Sequence, residues 1–136
     1  MPITYSISRE QRRVSAFATG TIRAEDLHGL VRSLLAHPDL VPGMRGLYDA
    51  SGAEPDITVL QLAEVAGEVR ELLRRGLGRI AIVAQSRANY RVAKTFTVLA
   101  QAIGIDVDVF EELEAAEAWL NEGDGPWTTD EMLLPR

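Results

Sequence analysis

Cysteine is absent from the 136 residues, which removes disulfides and thiolate-held metals from consideration. No apolar run approaches the length that a membrane-spanning helix needs. The opening MPITYSISRE has no apolar stretch behind basic residues of the kind that makes a secretory signal. A cytoplasmic location is therefore the expectation. Positive charge is also in deficit: 14 Lys and Arg face 20 Asp and Glu, for a net charge of −6 and a pI near 4.9. Affinity for nucleic acid draws on counterion release at a basic surface, so this balance argues against DNA and RNA as partners.

Catalytic signatures are equally sparse. The two histidines, His28 and His37, lack the i, i+4 spacing and the intervening acid of a zinc-binding helix. Gly76 and Gly78 precede a strand pattern instead of joining a strand to a helix, so no phosphate-cradling loop is formed. Asp49, Glu54 and Asp56 are spaced like no calcium loop. No cofactor and no metal are expected, and the chain reads as a non-enzyme.

What is present is a regular alternation of periods. Ile3, Tyr5 and Ile7 alternate with Thr4, Ser6 and Ser8, and Val14, Ala16 and Ala18 alternate with Ser15, Phe17 and Thr19. The spacing predicts two half-buried strands joined as an antiparallel hairpin. Leu27, Leu30, Val31, Leu34 and Leu35 then fall at helical spacing, stopped by His37-Pro38. A short strand over 45–50 follows, ending near Asp49. A second helix carries Leu62, Val65, Ala66, Val69, Leu72 and Leu73 to a stop at Gly76. Residues 79–84, RIAIVA, read as a strand covered on both faces. A third helix after Ser86, a strand over 106–110 and a last helix bearing Leu113, Ala116, Trp119 and Leu120 complete the pattern.

The order is ββαβαβαβα. Each strand–helix–strand unit needs a crossover, which predicts an α/β domain with a mixed, mostly parallel five-stranded sheet and about four helices. The domain is expected over 1–122, with 123–136 as a tail. Trp127, Met132, Leu133 and Leu134 in that tail are candidates for docking on the domain or for building a homodimer.

The stretches AEDLHGLVRSLLAHPDLVPGMRGLYDAS, RGLGRIAIVAQSRANYRVAKTF and VFEELEAAEAWL resemble the SpoIIAA-like STAS/SEC14 group of small bacterial proteins, over Ile3 to Leu120. The resemblance implies a STAS-like α/β sandwich. On its antagonist side it implies a regulatory role through a protein partner, switched by serine phosphorylation. On its SEC14 side it implies binding of a lipid or another apolar ligand. Asp49-Ala50-Ser51 matches the start of the antagonist pattern. Asp56-Ile57-Thr58-Val59 departs from it, with a threonine, no following glycine and a spacing about one residue short.

Two groups of candidate site residues result. Asp49, Ser51, Asp56 and Thr58 occupy the position of a switch or partner loop, although Thr58 with Gln61 also fits a helix capping box, stapled by Ile57 and Leu62. A phosphate at Thr58 would face Asp49, Glu54 and Asp56 with no basic residue near it in sequence, so the cap is the expected role, and Ser51 beside Gly52 reads as a turn. Ser86, Arg87, Tyr90 and Arg91, continued by Lys94, form a candidate edge for a small anionic ligand at a helix start, the alternative being a solvated basic face making ordinary ion pairs. Arg70, Arg74, Arg75 and Arg79 read as a solvated helix end.

Overall fold

The computed structural model describes residues 2–122; the tail expectations for Trp127, Met132, Leu133 and Leu134 lie outside the described residues. Nine elements follow in the order anticipated: β1 (Ile3–Ser8), β2 (Arg13–Arg23), α1 (Ala24–Ala36), β3 (Arg45–Asp56), α2 (Val59–Arg74), β4 (Ile80–Val83), α3 (Arg87–Ala102), β5 (Val107–Phe110) and α4 (Leu113–Leu120). The strands form one sheet in sequence order. β1 runs antiparallel to β2, with Ile3 opposite Ala18 and Ile7 opposite Val14, while every later pair is parallel.

Alternation along the strands sorts the core into two sides. Val14, Ile82, Val107 and Val109 join Val31, Leu34, Val65, Val69 and Ala93 beneath α1, α2 and α3. Leu47, Ala81 and Val83 point the other way, onto Ala116 and Leu120 of α4. A strand buried on both faces needs apolar residues at every position, and IAIV of β4 supplies them.

Each crossover helix has a chemical reason to start and stop where it does. At α2, Thr58 Oγ1 accepts from the Gln61 backbone N–H at 3.1 Å, and Gln61 Oε1 accepts from the Thr58 N–H at 2.9 Å. The helix ends at Gly76, whose φ of +102° is in the left-handed region. A side chain there is excluded twice over, because a Cβ would sit 2.4 Å from Pro42 Cα. At α3, Ser86 Oγ accepts from the Asn89 N–H at 3.1 Å.

The last helix is held differently. Arg45 donates to the carbonyls of Leu120 and Glu122, and Arg79 donates to Trp119 O at 2.9 Å while its guanidinium lies 4.3 Å above the Trp119 ring. Arg13 reaches Asn121 Oδ1 at 3.0 Å. Arg45 and Arg79 satisfy orphan carbonyls at the end of α4 and complement its dipole. The basic cluster after α2 is a solvated end only in part: Arg70, Arg74 and Arg75 are exposed, Arg75 also donating to Leu35 O of α1, whereas the half-buried Arg79 clamps α4.

The main departure from expectation is the length of β3. Instead of stopping near Ala50 and turning at Ser51-Gly52, it continues to Asp56 and pairs with an equally extended β2 as far as Arg23↔Asp56. The register slips between Phe17↔Asp49 and Thr19↔Gly52, which leaves one extra residue on β3. Gly52 and Pro55 make this stretch read as a loop; a bulge lets the strand absorb both.

Candidate functional site

The α1–α3 side of the sheet is not filled. A cavity of about 140 Å³ lies between the strands and the three helices, with walls that include Ala16, Leu30, Leu62, Val65 and Phe96. Two polar side chains, Tyr48 and Asn89, also line it. Among the described residues no acidic or basic side chain does, so the wall they form is almost entirely hydrocarbon. Such a concave apolar space with a few polar groups is the usual form of a small-molecule site.

Asn89 is at the third position of α3 and only 4% exposed. Its Nδ2 donates to Ala50 O, within the bulge in β3, and, at 3.3 Å, to Ala53 O just beyond it. The asparagine thereby pins the irregular stretch of β3 to the start of α3. Tyr48, two residues before Ala50, is half-buried in the apolar clusters on this side. Burial holds its phenol well above the ordinary value of 10.0, and the Asp26 carboxylate adds to the effect. The hydroxyl stays protonated at neutral pH and makes no hydrogen bond to any described residue.

The residues singled out in the sequence fall around this space without lining it. Ser51 and Asp56 are exposed on the bulged end of β3; the Ser51 N–H donates to Asp49 Oδ1 at 2.9 Å, and Asp56 stands 3.9 Å from Arg23. The hydroxyls of Thr58 and Ser86 are both engaged as helix caps. Arg87 and Arg91 are exposed, Tyr90 is half-buried against the core, and with Lys94, Thr95, Val98 and Leu99 they line a shallow groove along α3. Among the described residues none of Arg87, Arg91 and Lys94 has an ion-pair partner, and α3 itself carries no acid. His28 is bound to Glu68 across α1 and α2, Nδ1 to Oε1 at 2.7 Å.

The structure does bring the two candidate groups together, through a residue the sequence reading passed over. Asn89 stands among Ser86, Arg87, Tyr90 and Arg91 and holds the backbone on either side of Ser51. Its signal was available: it precedes Ala93 by four and Phe96 by seven, so a polar side chain sits on the inward stripe of α3. Among the described residues no group of three or more His, Asp or Glu is placed to hold a metal ion, and no helix is long and apolar enough to cross a membrane.

Comparison with known proteins bears on the fold and the family. No curated protein matches the chain. A crystal structure of an uncharacterised DUF3478-family protein from Shewanella loihica PV-4, with a SpoIIAA-like fold, is similar at a TM-score of 0.54 and 22% identity. The match covers 87% of this chain and 93% of that one. At that identity the likeness speaks to the fold alone, and it agrees with the five-stranded mixed sheet and STAS-like order found here. The family model described as SpoIIAA-like matches residues 13–121, which takes in β2 through α4, and the chain belongs to that SpoIIAA-like family.

Proposed function

We propose that this SpoIIAA-like domain is a non-enzymatic binding module whose ligand is a small apolar molecule, held between the sheet and α1–α3. The observation that carries this reading is the cavity of about 140 Å³ among apolar side chains. Cores are normally packed to crystal-like density, and an unfilled apolar space costs stability unless something occupies it. Titration of the full chain with toluene, followed by ¹H–¹⁵N NMR, tests the reading. Saturable shifts should gather at amides of Ala16, Leu62, Val65 and Phe96. No saturable shift, or shifts scattered over the surface, would overturn it.

A second reading, regulation through a protein partner, is favoured by the groove on α3. Arg87, Arg91 and Lys94 have no ion-pair partner among the described residues, and Val98 beside them is 58% exposed. An acidic partner segment suits that face. With a partner in hand, Arg87→Glu with Arg91→Glu should abolish binding, whereas Arg32→Glu on α1 should leave it intact. Equal binding by both variants would remove α3 from the interface.

A further inference from the structure

The polar atoms of the cavity wall narrow the chemistry of what it holds. Asn89 has a buried carboxamide whose orientation is settled by its neighbours, since exchanging its nitrogen and oxygen would set an oxygen against the carbonyls of Ala50 and Ala53. The NH₂ end therefore faces β3 and Oδ1 faces away from it. That oxygen accepts no hydrogen bond from any described residue, although the side chain is only 4% exposed. A buried acceptor left unmet is costly, and native proteins meet nearly all of theirs. Tyr48, two residues before Ala50 on β3 and so about 7 Å along the strand, also contributes to the wall, and its hydroxyl has no hydrogen-bond partner among the described residues.

Charge restricts the choice from the other side. With no Arg, Lys or His among the described residues of the wall, a buried carboxylate or phosphate would have no counter-charge there, and Asp26 near Tyr48 makes the surroundings less welcoming still. Size sets a third limit, because an apolar cavity of about 150 Å³ accommodates a benzene ring. Resting on the reading that the cavity is the ligand site, we infer that the ligand is a neutral molecule of about one ring's bulk bearing a hydroxyl, whose proton is donated to Asn89 Oδ1. Plain hydrocarbons of that size lack the donor, and carboxylates of that size bring a charge the wall does not balance.

Three probes of matched size separate the possibilities on the unmodified full chain: phenol, toluene and benzoate, each titrated by ¹H–¹⁵N NMR. Phenol should bind about tenfold tighter than toluene and shift the Asn89 side-chain NH₂ signals, which toluene should leave nearly unmoved. Benzoate should give no saturable shift at neutral pH. If toluene binds as tightly as phenol or tighter, with shifts at the cavity, the hydroxyl inference falls and the apolar site stands; a water then meets Asn89 Oδ1. Tightest binding by benzoate would overturn the neutral-ligand inference, and saturable binding by none of the three would overturn both it and the site.

Discussion

The two faces of this sheet bury similar residue types and reach different ends. Under α4, Leu47, Ala81, Val83, Ala116 and Leu120 close into a filled cluster, with the helix end clamped by Arg45 and Arg79. Under α1–α3, longer helices enclose a cavity, and one asparagine ties the bulged end of β3 to α3. Small strand residues make the difference intelligible. Ala81 lets α4 approach closely, whereas Ala16, Ala50 and Ala53 lie beneath helices that span a wider stretch of sheet, and the space above them stays open. The filled face provides rigidity, and the unfilled face provides room.

The largest effect should come from truncating the filled face. Leu120 is fully buried under α4, and Leu120→Ala should cost about 3 kcal/mol in urea unfolding, because nothing nearby is free to collapse. Leu62→Ala on the cavity wall should cost about 2 kcal/mol, since Leu62 already lacks packing on one side. Equal losses would erase the distinction between the faces.

Asn89→Ala comes next, at about 2 kcal/mol, because it strips the partner from Ala50 O and Ala53 O beside the bulge. Amide hydrogen exchange should rise first around residues 50–54. Exchange that rises evenly along β3 would show that the bulge does not depend on this side chain.

Adding bulk sharpens the contrast with a smaller effect of opposite sign on the two faces. Ala81→Val should destabilise by about 1 to 2 kcal/mol through overpacking against α4. Ala16→Val, on a strand and lining the cavity, should be neutral or slightly stabilising while weakening toluene binding. Matched losses at both sites would mean that the cavity is not accessible to an added side chain.

Most of the architecture was legible because periodicity reports which side of an element is buried. The apolar stripe of α2 and the two-faced run of β4 are read directly from residue spacing. The bulged end of β3 was not, since Gly52, Pro55 and three acids carry a loop's composition while the pairing that holds them comes from β2. The size of the cavity and the place of Tyr48 in its wall were hidden for a different reason: volume left between elements depends on how they stack, which no local pattern records. The arginine clamp on α4 was hidden likewise, as Arg45 and Arg79 are far from residues 119–122 in sequence.

The last predicted effect bears on the segment where resemblance and physics disagree. Antagonist-type relatives place a phosphorylated serine near the start of the corresponding helix; here Thr58 Oγ1 is committed to the Gln61 N–H. If capping is its role, Thr58→Ala should lose about 1 kcal/mol, and Thr58→Ser or Thr58→Asp, which keep an oxygen in place, should lose no more than about half of that. The first turn of α2 frays with the cap, so protection should fall at Val59 to Leu62, where Leu60 is already 72% exposed. A hydroxyl kept for modification alone would leave stability unmoved by removal of its oxygen. Equal stability of the alanine and serine variants is therefore the result that would return Thr58 to the switch reading and take it away from the cap.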